Sequence, residues 1–270
     1  MTPEPVLRED DIEAWNLWQR AAAAWATTAS FERHVEAARR IIRKCMDETP
    51  NAAVSWSGGK DSTVMTHLVC VDCKADVAVF SEKDDLDYPG EEEYVRGLGD
   101  AWGLKLTVLH PPISPREWIE QHRAHMNAGD EIHARAAGLS KACFYNVMKD
   151  ANRGYDAVML GLRTEESAIR RNLRATRGRY YELADGSYRV LPIADWKGLD
   201  VYAYAISRGI ALLPVYQCLG LMHRHDPSKI RKSWWLPGGT AQYGQVTWLR
   251  RYYPSLYRQL LEWFPDATMM

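Results

Sequence analysis

Apolar and polar positions follow two different rhythms along the chain. Over the first fifty residues the spacing is helical. It predicts one helix over residues 12–25, where the four alanines from Ala21 to Ala24 favour helix. A second is expected over 31–46, with Ser30 as N-cap and Val35, Ile41 and Ile42 among its apolar positions. Beyond residue 50 short apolar runs take over, at 52–56, 77–80, 104–109, 157–160 and 189–193. Helical patterns at 61–68, 91–102, 140–152 and 199–207 separate several of them. This alternation predicts an α/β fold, a mostly parallel sheet with helices on both faces and right-handed crossovers. Sheets of this kind bind ligands beyond the carboxyl ends of their strands, so the loops after Trp56, Phe80 and Leu160 are where chemistry is expected.

The end of the chain changes character. Trp234, Trp235, Trp248 and Trp263 are mixed there with Arg231, Lys232, Arg250, Arg251 and Arg258. The pattern suits either an aromatic helical extension packed on the sheet or a surface that stacks on bases or docks a protein. Three regions result: N-terminal helices (1–50), an α/β core (51–215) and a basic, aromatic C-terminal subdomain (216–270).

Composition narrows the class. The 270 residues are 46% hydrophobic and 26% charged with a net charge of -1, which excludes collagen-like, disordered and small disulfide-scaffold proteins. Near-neutrality argues against an extended grip on nucleic acid and leaves room for a local basic patch. No apolar run is long enough to span a membrane, and the N-terminus lacks a basic-then-apolar leader pattern. Five cysteines, an odd number, suit reduced thiols in the cytoplasm.

The stretch Val54-Ser55-Trp56-Ser57-Gly58-Gly59-Lys60-Asp61-Ser62-Thr63 is the most informative. An apolar strand runs into two glycines and then a helix. Glycines let consecutive N–H groups converge on an anion, and the helix start adds free N–H groups and a positive dipole end. Ser57 and Ser62 add hydroxyls, and Lys60 adds a mobile charge. These parts make a pyrophosphate cradle, although the spacing is not that of a Walker A loop. Ser57-Gly58-Gly59-Lys60-Asp61-Ser62 resembles the PP-loop of the ATP pyrophosphatase, or adenine nucleotide α-hydrolase, superfamily.

Two further segments narrow the resemblance. Gly161-Leu162-Arg163-Thr164-Glu165-Glu166-Ser167 is similar to the Gly-x-Arg-x-x-Glu-Ser segment of the phosphoadenosine phosphosulfate (PAPS) reductase-like branch. Leu191-Pro192-Ile193-Ala194-Asp195-Trp196, followed by Asp200-Val201-Tyr202, resembles that branch's "P-L-x-D-W … D-V-W" segment. The resemblance implies a Rossmann-like adenine nucleotide α-hydrolase fold. It implies a nucleotide site made of Ser57, Gly58, Gly59, Lys60, Asp61, Ser62, Gly161, Arg163, Glu166, Ser167, Arg170 and Arg171. Lys60 and Arg163 would be the catalytic pair, Arg163 as a bidentate phosphate or sulfate donor, with Glu166 either orienting it, the preferred role, or helping to hold a metal ion.

The chain departs from that branch in two places. The usual Asp-Thr-Gly after the second strand reads Lys83-Asp84-Asp85, within a run from Glu82 to Glu93 that holds seven acids and one lysine. Either this is a solvated acidic loop, or Asp84 or Asp85 holds Mg²⁺ over bound phosphates. The reductases' C-terminal Glu-Cys-Gly-x-His motif is absent, and so is the paired-cysteine motif for an iron–sulfur cluster. Cys218 is a loose echo of the nucleophile, with the basic stretch 223–232 expected to lower its pKa. Cys70 and Cys73 have C-x-x-C spacing, open to a redox pair, a four-cysteine cluster with Cys143 and Cys218, or plain buried thiols. His223 and His225 could meet an outer phosphate or sulfate, or form a surface patch.

The expected activity is therefore ATP binding with attack at the α-phosphate, pyrophosphate leaving and an unidentified acceptor oxygen taking the AMP, in sulfur metabolism or nucleic-acid sulfur modification. Two alternatives remain: a thiol-dependent reductase of adenylyl or phosphoadenylyl sulfate, and a non-catalytic nucleotide-binding subunit of a larger assembly. A homo-oligomer, or a protein or nucleic-acid partner at the C-terminal region, is compatible with either; a membrane is not expected.

Overall fold

The computed structural model describes residues 4–85, 87–88, 90–122, 140–219, 226–230 and 242–263. Two helices open the chain, α1 (Glu9–Ala26) and α2 (Ala29–Glu48). The cap of α2 is Thr28, whose hydroxyl accepts from the Phe31 N–H at 3.1 Å. Ser30, the expected cap, lies inside the helix and its hydroxyl accepts from Arg33.

Then strands and helices alternate: β1 (Ala52–Ser55), α3 (Lys60–His67), β2 (Ala78–Glu82), α4 (Glu91–Ala101), β3 (Lys105–Leu109), α5 (Pro115–His122), α6 (Asn146–Asn152) and β4 (Ala157–Leu160). After them come α7 (Ala168–Arg177), β5 (Tyr180–Glu182), β6 (Tyr188–Val190), α8 (Gly198–Ser207), α9 (Gln242–Tyr252) and α10 (Pro254–Trp263). The sheet order is β3-β2-β1-β4-β6-β5, parallel throughout except for β5, which pairs antiparallel with β6 at the edge. Strand β1 is central, with Val54 opposite Val79 on one side and Met159 on the other.

Because side chains alternate across a strand, β1 serves two faces. Val54, Val79, Met159 and Val190 join a core with α1, α2, α3 and the C-terminal helices, whereas Ala53, Phe80 and Val158 pack against Met148 and Ala151 of α6. Helices thus cover both faces, as the pattern predicts. The larger core runs unbroken from Ala22 and Phe31 to Leu256 and Leu260.

Two expectations need correction. The last strand is 188–190, because the chain turns at Leu191-Pro192, where proline has no N–H for the ladder. Strand β5 was not foreseen; its three residues carry no periodicity, although Gly186 at φ +81 marks the hairpin turn that follows it. The described part of the aromatic C-terminus faces inward. Trp248, Tyr252 and Tyr253 are buried, and the Tyr252 hydroxyl donates to Asp11 at 2.7 Å. Trp234, Trp235, Arg231 and Lys232 lie outside the described residues. No helix among the described residues is long and apolar enough to cross a membrane.

Candidate active site

Strand β1 ends under a tight loop that leads into α3. Gly58 adopts φ +81, a left-handed conformation open to glycine, and Gly59 precedes the helix as its N-cap. The Ser57 and Ser62 hydroxyls lie 2.9 Å apart across the loop. Among the described residues no acceptor meets the N–H groups of Gly58, Asp61 or Ser62, whereas the Lys60 N–H donates to the Tyr216 hydroxyl at 2.8 Å. Three free donors beside two hydroxyls at a helix N-terminus form an anion cradle.

Gly161 closes this cradle from β4. A Cβ there would stand 2.6 Å from Ser62 Cα and 2.7 Å from Ser62 N, so the two backbones meet because this residue has no side chain. The loops after β1 and β4 are thereby joined at the carboxyl edge of the sheet, where the strand pattern points.

Lys60 and Arg163 behave differently from the expectation. Lys60 is 1% exposed; its ammonium donates to the Ile230 carbonyl at 2.7 Å, lies 3.2 Å from Asp61 and rests over the Tyr216 ring. It is a fixed, buried charge and not a mobile one. Arg163 is also 1% exposed, and its fork is occupied by Asp61 at 2.6 Å and Glu165 at 2.5 Å, with the Ser228 carbonyl at 3.4 Å. Arg163 therefore ties α3 to the loop after β4 and to segment 226–230, instead of presenting a bidentate fork to an anion. Glu165, not Glu166, orients it, and the same Glu165 carboxylate accepts from the Gly198 N–H at 2.7 Å. Burial, then the charge of Asp61, pushes the Tyr216 phenol far above its usual range, so it stays a neutral donor-acceptor between them.

The other residues named from the sequence sit at the rim. Glu166 accepts from the Arg163 backbone N–H at 3.3 Å and pairs with Arg170. Ser167 caps α7 by accepting from the Arg170 N–H at 3.2 Å. Arg171 is exposed on α7. His223, Arg224 and His225 lie outside the described residues.

Sequence reasoning overlooked Lys83. It is 1% exposed, and its ammonium reaches the Ser57 carbonyl at 3.1 Å, Glu91 at 2.7 Å and Asp87 at 3.4 Å. The signal was present, since Lys83 is the one cation in the acidic run that replaces Asp-Thr-Gly. Asp84 and Asp85 stand next to it at the end of β2, and Asp85 accepts from the Arg116 N–H at 3.2 Å. Among the described residues no group of three metal-ligating side chains converges here, and Asp84 and Asp85 are the carboxylates at this edge that could share a Mg²⁺ with bound phosphates.

All five cysteines are free thiols. Burial pushes Cys70 up to about 12, and burial together with the charges of Asp84, Asp85 and Glu82 pushes Cys143 up to about 12. Burial likewise raises Cys45 and Cys73. Cys218 is 0% exposed beneath Trp248 and Tyr253, and burial raises it furthest, the reverse of the lowering expected from a basic neighbourhood. Nor do Cys70, Cys73, Cys143 and Cys218 converge into a metal cluster among the described residues.

Comparison with known proteins places the chain in a family. Residues 51–219 match the phosphoadenosine phosphosulfate reductase domain profile. The chain is 25% identical over 232 residues to the phosphoadenosine 5'-phosphosulfate reductase of Yersinia enterocolitica, covering 85% of this chain and 90% of that relative. It is 27% identical over 227 residues to the relative of that name from Serratia proteamaculans, covering 83% and 85%. The fold is similar to the crystal structure of PAPS reductase from Candida auris in its phosphate complex, with TM-score 0.52 and 14% identity over 68% of this chain and 89% of that one.

Proposed function

The chain belongs to the phosphoadenosine phosphosulfate reductase domain family, and from that premise we propose that it binds adenylyl or phosphoadenylyl sulfate and supports thiol-dependent release of sulfite. One observation carries the reading: the cradle of free Gly58, Asp61 and Ser62 N–H groups at the carboxyl edge of β1 and β4, inside the family-matched segment. The names of the relatives support a sulfonucleotide over ATP as the ligand.

The cradle holds the phosphosulfate oxygens and spreads their charge over backbone dipoles. Lys60 and Arg163 act from beneath as positioning residues, fixing Asp61 and the first turn of α3. Each buried cation already faces a carboxylate, so the donors that touch the anion are main-chain groups and serine hydroxyls.

Reduction requires two electrons and a thiolate. The chain's own thiols are held protonated, so a dithiol donor supplies both. One donor thiolate attacks the sulfonate sulfur, the S–O bond to the nucleotide phosphate breaks, and the adenosine phosphate leaves. The donor's second thiol then attacks the sulfur-bound thiol, sulfite departs with the electron pair, and the donor closes its disulfide. Sulfur passes from the +6 to the +4 state, and the two thiol protons go to solvent. A cytoplasmic setting, where such donors are kept reduced, suits five unpaired cysteines.

A second reading is favoured by those same cysteines. With no activated thiol in the chain, attack at the α-phosphate of ATP with pyrophosphate release needs no nucleophile that the protein lacks. Anaerobic incubation with adenylyl sulfate, phosphoadenylyl sulfate and ATP, with a dithiol present, separates the two. Sulfite supports the first reading, pyrophosphate from ATP replaces it with the second, and binding without turnover leaves a non-catalytic module.

A further inference from the structure

We propose that Lys83 is the positioning residue of the anion cradle: its buried ammonium turns the Ser57–Gly58 peptide so that the Gly58 N–H faces the bound anion. The inference rests on the sulfonucleotide reading of the loop and deepens it. Lys83 is held at its base by β3, since its N–H donates to the Leu109 carbonyl at 2.9 Å and its carbonyl accepts from His110 Nδ1 at 3.1 Å. From there the side chain runs beneath the loop after β1 and meets three elements at once: the Ser57 carbonyl, Asp87 before α4, and Glu91 in the first turn of α4.

In a trans peptide the C=O and the following N–H point to opposite sides. Drawing the Ser57 carbonyl down onto Lys83 therefore aims the Gly58 N–H up, where no acceptor meets it among the described residues. The left-handed Gly58 belongs to the same arrangement. A Cβ there would stand 2.9 Å from Glu91 Oε1, so the Lys83–Glu91 pair fills the space below the loop.

Stability alone does not require this pair, because apolar residues of similar size often replace a buried ion pair without loss. What an apolar pair cannot supply is a donor to a loop carbonyl. The same position is the first residue of the segment that departs from the family's Asp-Thr-Gly, so this chain builds its loop floor with a cation where the family pattern has a carboxylate.

The test compares wild type, Glu91→Gln, Lys83→Met and Lys83→Met/Glu91→Gln, using calorimetric titration with adenosine 5'-phosphosulfate and ATP and a thermal melt of each protein. The double variant removes both charges and is expected to melt cooperatively. Its affinity for both probes should be lower by about tenfold or more, the scale of one charge-assisted donor. Glu91→Gln keeps the donor to Ser57 and should lose less affinity than the double variant. A folded double variant with wild-type affinity would overturn the proposal, because the pair would then be structural. Should both Met-containing proteins fail to fold, Lys83→Arg decides. It keeps the charge and displaces the donor, so weaker binding supports the proposal and unchanged binding overturns it. Wild-type protein that binds neither probe would overturn the sulfonucleotide reading, and this one with it.

Discussion

Gly161→Ala tests the junction of the two loops with a single methyl group. The added Cβ would lie 2.6 Å from Ser62 Cα, 2.7 Å from Ser62 N and 2.9 Å from the Asp61 carbonyl carbon. All three neighbours are backbone atoms, so no side chain can rotate aside. The first turn of α3 must retreat, or β4 must bend. Overpacking of this kind costs about 1–3 kcal/mol of stability. The retreat also moves the Asp61 and Ser62 N–H groups off the anion. Losing one hydrogen bond to a charged ligand costs about 1.5–3 kcal/mol, or roughly tenfold to a hundredfold in affinity. Urea unfolding should show a lower midpoint with an unchanged slope, and calorimetry with adenosine 5'-phosphosulfate should show the weakened binding. A variant with the wild-type midpoint and wild-type affinity would refute both the close approach and the placement of the anion. Lost stability with intact binding would refute the placement alone.

Arg163→Lys is expected to lower stability by about 1–3 kcal/mol and to weaken nucleotide binding, because one ammonium cannot span both Asp61 and Glu165 and strands a buried acceptor. Wild-type unfolding of that variant would show that the fork is dispensable. The thiols should resist iodoacetamide at pH 7 until the protein unfolds, since burial pushes Cys70 and Cys143 up to about 12; alkylation of either in the folded protein would contradict this. Cys218→Ser should leave nucleotide binding unchanged, because the sulfur is buried under Trp248 and Tyr253; calorimetry checks it. His67 has its pKa lowered from 6.5 by burial, so the unfolded chain takes up a proton that the folded ring refuses. Its contribution is present above pH 6.5 and is lost as pH falls through that value, so His67→Gln should flatten the acid limb of stability in urea unfolding at stepped pH.

The sheet and the cradle were legible because their signals are local. Five apolar runs mark five of the six strands, and the two glycines between a strand and a helix announce an anion loop within ten residues. What was misjudged depends on contacts far apart in the chain. Arg163 meets Asp61 across 102 positions, the Lys60 N–H meets Tyr216 across 156, and the Lys60 ammonium meets Ile230 across 170. No spacing rule encodes those partners. The cap of α2 failed for a smaller reason: Thr28 and Ser30 are both good capping residues two positions apart, and the backbone reaches extended geometry at Thr28.

The same contrast explains why the motif predicts its backbone better than its side chains. A glycine turn before a helix fixes where the N–H groups point, because main-chain geometry follows from the local sequence. A lysine or arginine beside it can serve a ligand or the protein, and the choice depends on which carbonyls and carboxylates the fold brings within reach. Here Ile230, Asp61 and Glu165 take Lys60 and Arg163, and Ser57 and Glu91 take Lys83. Three buried cations therefore shape the cradle from below while free backbone donors line it. That division favours recognition of oxygen geometry over attraction by net charge, which suits the proposed binding of a sulfonucleotide in a single orientation.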